Sequence, residues 1–398
     1  MSIALINIGD SHVGDLVGSQ ISGDAIVCDG GRISLIGSSS AVGQRDHETL
    51  IDVAGATVIP GFIDSHFHST FGDFTPRQNT VGYIESYLHG GMTRAISASE
   101  VHVPGRPSDV EGVKALAIAA QRCFQSYRPG GVTVHAGSVI LEPGLAYEDF
   151  AELRQQGVWL AKAGFGSFAA PMDYVPVVHA AVRAGLIVMC HTGGGSIPGS
   201  QSKIGAAELL AMHPQVAGHV NGGPTALSPE ENQQIVREGE GIALQLVRAG
   251  NFRSAVDIAN LAIEANCLER ILIASDSPTG SGVLTLGIMG MMAEMASLGP
   301  LSGRQAITAA TGSVGAVYGL EAGRIEVGRP ADLLVVDAPQ GSSAKNAIGA
   351  LEIGDVMAIA VAITQGIVRF ARSRNTPPAS RPIVVLDRDR QPFPTSRH

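Results

Sequence analysis

Basic charge is scarce in this chain and nowhere concentrated: 398 residues carry 27 Lys and Arg against 36 Asp and Glu, a formal charge of −9, with no Lys/Arg block. That excludes a sequence-independent grip on nucleic acid or on an anionic lipid surface. No run of 18 or more apolar residues occurs, which argues against a membrane span, and Met1 to Leu5 lacks the basic-then-apolar pattern of a leader, so a cytoplasmic location is expected. Cysteine is sparse too. Cys28, Cys123, Cys190 and Cys267 stand far apart with no CxxC pair, which leaves structural thiols in a reduced compartment rather than a disulfide framework. What the chain has in quantity is apolar residues, 45%, enough at this length for a large core, and glycine, 50 residues in short clusters that punctuate many turns. A small soluble substrate is the expected partner, with no nucleic acid and no membrane.

The texture changes twice along the chain. Residues 3–60 read as short strands between Gly/Asp/Ser turns (Ile3 to Ile8, Asp24 to Val27, Arg32 to Ile36, Leu50 to Val53). From about 61 to 320, short apolar runs alternate with segments of helical spacing such as Val110 to Gln125, Tyr174 to Ala184, Pro229 to Gly239 and Phe252 to Asn266. Strands return at Gly323 to Gly328, Asp332 to Asp337, Val356 to Thr364 and Gly366 to Phe370, and the Pro-, Arg- and Ser-rich end from Arg372 to His398 reads either as a wrapping segment or as a frayed tail. Eight strand candidates fall in the middle region: Val58 to Asp64, Arg94 to Ser97, Val132 to Ala136, Val158 to Ala161, Ile187 to Cys190, Val216 to Gly218, Ile242 to Leu246 and Ile271 to Ala274. Eight βα units in roughly 260 residues predict an α/β fold, a (β/α)8 TIM barrel over 61–320, with a β-sandwich domain built from 1–60 and 321–398.

Polar residues cluster where these strands end. His66 and His68, at i and i+2 on an extended segment, face one side and can chelate one ion. Lys162 follows the fourth run, His191 the fifth, His219 the sixth and Asp276 the eighth, at intervals of 29, 28 and 57 residues (162 to 191, 191 to 219, 219 to 276) that accommodate one or two βα units each. In a closed barrel those ends open on one face. Imidazole and carboxylate suit Zn or Fe, and a lysine joins them only once its charge is removed, for example by carbamylation. Taken singly each residue has a plainer reading: Asp276 as a helix cap or turn residue, a lone histidine as a satisfied polar group, and His89, His102, His179 and His213 are read that way. Six such residues on one rim point to a metal site. Cys190 reads as a small core residue, His135 either as a substrate donor or as a satisfied rim residue, and Thr192 to Ser196 as a turn that gives ligands room.

The segment Val58-Ile59-Pro60-Gly61-Phe62-Ile63-Asp64-Ser65-His66-Phe67-His68 resembles the first-strand motif of the amidohydrolase superfamily, and Ile26 to Ile33 and Ile325 to Val336 resemble its N- and C-terminal sandwich segments, so the resemblance spans nearly the whole chain. It implies a mono- or binuclear centre in which His66 and His68 hold the more buried metal, His191 and His219 the more exposed one, Lys162 bridges as a carbamate, and Asp276 ligates and shuttles the proton. Cys190 to Gly194 and Gly218 to Pro224 resemble the enamidase subfamily, which hydrolyses 6-oxo-1,4,5,6-tetrahydronicotinate. The implied reaction is metal-dependent hydrolysis of a C–N bond in a cyclic amide or enamide, with His135 or Asn221 polarising the carbonyl and Arg106 receiving a substrate carboxylate; Arg77, Lys203 and Arg248 are equally eligible by position. A dihydropyrimidinase- or imidazolonepropionase-like activity is the alternative within enzymes. Lys162 argues against a mononuclear deaminase, and a non-catalytic scaffold homologue would be expected to have lost ligands. By analogy the chain is expected to be a homo-oligomer, dimer or tetramer; Leu286 to Met295 is either a subunit-contact helix or a core helix.

Overall fold

The computed structural model describes residues 2–43, 46–68, 82–100, 105–194, 203–222, 226–278, 282–389 and 391. Both ends of the chain contribute to two five-stranded sheets. One runs in the order Val384–Asp387, Thr49–Asp52, Ser2–Ile6, Ala25–Asp29, Arg32–Gly37; the other in the order Ile367–Phe370, Ala358–Thr364, Leu333–Asp337, Thr57–Pro60, Asp10–Ser11. Alternation along these strands sends Ile3, Leu5, Ile26, Cys28 and Ile51 of the first and Val58, Leu333, Val335, Val361 and Ile363 of the second into one shared apolar core. The C-terminal segment is therefore no frayed tail as far as Asp387: Val384–Asp387 pairs antiparallel with Thr49–Asp52.

Between them the chain alternates parallel strands and helices. Phe62–Phe67, Met92–Ser97 and Thr133–His135 form one parallel sheet; Ser138–Ile140, Leu160–Ala163, Ile187–His191, Val216–Gly218, Ala243–Val247 and Ile271–Ala274 form another, each strand beside its neighbour in sequence. The first of these strands meets the last: the Asp276 amide donates to His66 O at 3.0 Å and the His68 amide to Ser277 O at 2.9 Å. Helices Val110–Ser126, Val175–Arg183, Pro229–Glu238 and Phe252–Glu264 lie where the helical spacing predicts them, three of them started by side-chain caps, Asp109 on the Gly112 amide, Ser228 on the Glu231 amide and Asn251 on the Ser254 amide. Their apolar faces and the outward faces of the parallel strands share the largest core.

Three expectations are corrected. The run Val58 to Asp64 is two strands, Thr57–Pro60 in an end sheet and Phe62–Phe67 in the parallel set, because the chain changes partners at Gly61, where a Cβ would sit 2.2 Å from Thr93. The third strand does not end with Val132 to Ala136: Thr133–His135 pairs with Met92–Ser97, and after a break at Gly137 the chain adds Ser138–Ile140, paired with Leu160–Ala163, with the buried carboxylate of Glu100 accepting the Gly137 and Ser138 amides at the break. Gly323 to Gly328 forms no strand; it is a turn tied down by the Ile325 amide on Val13 O. The helix Gly287–Ser297 is a core helix, with Met289, Met291, Met292 and Met295 all buried. Among the described residues no helix is long and apolar enough to cross a membrane.

Candidate metal centre

Four imidazoles meet at the C-terminal ends of the parallel strands. His66 lies within Phe62–Phe67 and His68 one residue past it; His191 closes Ile187–His191 and His219 follows Val216–Gly218. Ring centroids are 5.4 Å apart for His66 and His68, 5.3 Å for His66 and His219, and 4.5 Å for His191 and His219. Gly164 makes the last approach possible: a Cβ there would lie 2.5 Å from the Cβ of His191, and its φ of +106° is one that L side chains rarely adopt. Asp276 faces the first pair, its Oδ1 at 3.3 Å from His66 Nε2 and 3.2 Å from His68 Nε2. His66, His68 and Asp276 thus offer three ligand atoms within 4.8 Å of one another.

Two of these residues are held in backbone conformations that non-glycine residues seldom occupy, His219 at φ 38° and Asp276 at φ 56°. Each costs on the order of 1–3 kcal/mol, sustained by the surrounding packing. Lys162, inside Leu160–Ala163, is fully buried, with the Met189 sulfur at 3.5 Å its one hydrogen-bonding contact among the described residues and its Nζ 5.7 Å over the Phe165 ring. Phe165 in turn packs edge-on to His191 at 5.1 Å, so all six predicted residues share one region.

Burial sets their protonation. Desolvation pushes His66 down to about 3 and His191 to about 4, and holds His219 well below the usual range, so these imidazoles are neutral at pH 7. Burial likewise lowers the Lys162 ammonium, to about 8, partly opposed by the charge of Asp276. Burial alone would raise Asp276, but the hydrogen bond it shares with His68 Nε2 at 3.2 Å opposes that and its carboxyl lies well below the ordinary range.

Several neighbours carry the site without having been singled out in the sequence. Gln245, buried in Ala243–Val247, places its carbonyl oxygen 2.6 Å from His66 Nδ1 while its amide group donates to Ser65 O and Oγ. Asp64 is buried, accepts the His66 and Ser275 amides and the Ser275 hydroxyl, and is pushed up to about 6 by desolvation. Tyr87 shares a hydrogen bond with the hydroxyl of Ser277, beside Asp276. A polar residue inside an apolar strand is the signal that would have found Gln245.

His135 and Asn221, expected as substrate donors, have these neighbours among the described residues. His135 packs edge-on against Trp159 at 5.7 Å, and the charges bearing on it are Arg94 and Arg128. Asn221 is spent on backbone: its amide donates to Val247 O at 3.0 Å and Asn251 O at 3.3 Å, and its oxygen accepts the Val247 amide at 2.9 Å. Arg106 is near the rim but engaged, paired with buried Glu142 at 2.5 Å and donating to Phe165 O. Lys203 pairs with Glu231 at 2.7 Å and Arg248 with Glu294 at 2.9 Å. His89 stacks on Phe370, His179 bonds Ala211 O, and His213 ends a helix, all in the plainer roles expected of them; Cys190 is enclosed in the core. Arg77 and His102, with parts of the segments Ser99 to Pro107 and Thr192 to Ser196, lie outside the described residues.

With that geometry in hand, comparison with known proteins is decisive. The amidohydrolase family model matches residues 57–369. The chain belongs to the amidohydrolase family. It is 42% identical to the enamidase of Eubacterium barkeri over 381 residues, 96% of this chain and 98% of that one. A crystal structure of enamidase superposes with a TM-score of 0.91, covering 97% of this chain and all of that one. The imidazolonepropionase of Mycolicibacterium smegmatis is 26% identical over 353 residues, 79% of this chain and 84% of that one. As an amidohydrolase the chain is an enzyme that hydrolyses C–N bonds other than peptide bonds, of the cyclic amidohydrolase kind, with the α/β fold and parallel strands of its family and a small-molecule substrate.

Proposed function

We propose that this amidohydrolase opens a cyclic enamide, 6-oxo-1,4,5,6-tetrahydronicotinate or a close relative, at a binuclear site made by His66, His68, Lys162, His191, His219 and Asp276. The parallel strands are read as a closed (β/α)8 barrel over 61–320, with a β-sandwich from 1–60 and 321–398, and the site as its C-terminal mouth. One observation carries the metal reading. The Nδ1 of His66 faces the Gln245 carbonyl oxygen, whose orientation is fixed because the other end of that amide faces the Ser65 carbonyl, so the proton of His66 resides on Nδ1. Its Nε2 then presents a bare lone pair to the Asp276 carboxylate at 3.3 Å, an arrangement that repels unless a cation lies between. In addition, the buried ring nitrogens of His191 make no well-aligned hydrogen bond among the described residues.

The donors fit Zn or Fe: His66, His68 and Asp276 at one subsite, His191 and His219 at the other, with Lys162 between them. With a pKa near 8, about a tenth of Lys162 is the free amine at pH 7, the form that reacts with carbon dioxide to give an anionic carbamate. A pair of divalent cations would supply Lewis acidity that lowers the pKa of water toward neutrality. Asp276 accepts the proton of the attacking water and returns it to the ring nitrogen as the C–N bond breaks. Two waters and the cyclic enamide give the ring-opened acid bearing an aldehyde, and ammonia. The 42% identity to an enamidase across nearly the full chain, against 26% to an imidazolonepropionase, favours this substrate class. The test is ammonia release from 6-oxo-1,4,5,6-tetrahydronicotinate by metal-loaded enzyme, beside dihydrouracil and imidazolonepropionate; turnover of either of the last two in preference would overturn the assignment.

A further inference from the structure

The parallel strand Ala243–Val247 contributes none of the six residues above, yet its one polar side chain touches two segments that do. Gln245 is fully buried. Its oxygen accepts from His66 Nδ1 at 2.6 Å and from the His219 backbone amide at 3.3 Å; its nitrogen donates to Ser65 Oγ at 2.8 Å and Ser65 O at 3.1 Å. One amide thus ties the segment carrying His66 and His68 to the turn carrying His219, which sits at the strained φ of 38°. We propose that Gln245 is a positioning residue for both halves of the centre: it fixes the Nδ1–H tautomer of His66, aiming Nε2 at Asp276, and pins the backbone from which His219 projects.

The physical logic is that of an outer hydrogen bond that orients an imidazole and raises its basicity, whose loss typically lowers metal affinity about 10–100-fold. No acceptor other than the Gln245 oxygen is bonded to His66 Nδ1 among the described residues, so removing it leaves that nitrogen free to lose its proton to Nε2, the wrong tautomer for a ligand. A carboxylate at the same place keeps the acceptor, and the Ser65 hydroxyl can turn to donate to it. The proposal rests on the metal-site reading for its effect on affinity but not for its effect on tautomer, and the experiment separates the two.

Full-length enzyme with 15N-labelled histidine is compared as wild type, Gln245→Leu and Gln245→Glu. NMR of the metal-free proteins reports the His66 tautomer, and zinc titration with elemental analysis reports occupancy; circular dichroism checks folding. Expected are Nδ1–H for His66 in the wild type and Gln245→Glu, loss of that form in Gln245→Leu, zinc affinity about 10–100-fold weaker in Gln245→Leu, and recovery to within a few-fold in Gln245→Glu. An Nε2–H signal for His66 in the wild type, or wild-type zinc affinity in folded Gln245→Leu, overturns the proposal. Should Gln245→Leu not fold, loss of the Nδ1–H signal in Gln245→Glu overturns it alone. A wild type that binds no zinc would sink the metal reading while the tautomer signal still decides the role of Gln245.

Discussion

The N-terminal segment is docked through an uncharged histidine, and this makes the fold acid-sensitive in a calculable way. His12 is fully buried, its Nε2 2.8 Å from the Thr308 hydroxyl, and that hydroxyl donates in turn to Asp15 O at 2.7 Å. The hydroxyl therefore accepts from His12 Nε2–H, and His12 Nδ1, buried with no partner among the described residues, is the bare nitrogen that acid would protonate. Desolvation and then the Arg304 charge lower its pKa from 6.5 to about 4, against weaker opposing effects of Asp15 and Asp10. A histidine whose folded pKa lies below its unfolded one stabilises the fold above pH 6.5, and that contribution is lost as pH falls from 6.5 towards 4. A shift of 2.5 pH units is worth at most ~3.4 kcal/mol, of which about 2 kcal/mol is lost by pH 5. Replacing His12 with Gln keeps a donor to Thr308 and removes the titration. Urea unfolding of metal-loaded wild type and His12→Gln, followed by Trp159 fluorescence at pH 7.5 and pH 5.0, should show similar stability at the higher pH and a gap of about 2 kcal/mol in favour of His12→Gln at the lower. Equal losses in the two proteins would refute the reasoning.

Asp276→Asn keeps the shape of the side chain and removes its basicity; turnover should fall about 10²- to 10⁴-fold in steady-state assays, with metal content measured in parallel, and near-native turnover with metals bound would exclude Asp276 as proton shuttle. Asn221→Ala deletes two buried hydrogen bonds to Val247 and a half-buried one to Asn251 and should cost about 2–4 kcal/mol in thermal or urea unfolding. Arg106→Met leaves the Glu142 carboxylate buried and unpaired, so a stability loss of about 3–5 kcal/mol is expected, and a rise in KM without that loss would restore a substrate-binding role.

The fold and site were legible where a local pattern suffices. The i, i+2 spacing of His66 and His68, and polar residues terminating apolar runs at 162, 191, 219 and 276, pointed to residues that the structure gathers in one place. Sheet membership was not legible at Gly61, because Val58 to Asp64 has unbroken strand character and only long-range partners show that the chain changes sheet there. Roles that depend on what lies opposite were also hidden: Asn221 and Arg106 are as polar as any substrate donor, but partners 26 to 59 residues away consume their hydrogen bonds. Gln245 does stand out locally as a polar residue inside an apolar strand, but its role is hidden for the same reason, its partner His66 being 179 residues distant.

Metal content per chain tests the central claim most directly, measured by elemental analysis for Zn, Fe, Mn and Ni on protein purified without chelator. The account predicts about two divalent ions per chain, lost together with activity on chelation and restored by metal with bicarbonate. One ion per chain in an active enzyme would contradict the bridging role of Lys162, and none after incubation with metal and bicarbonate would contradict the catalytic reading altogether.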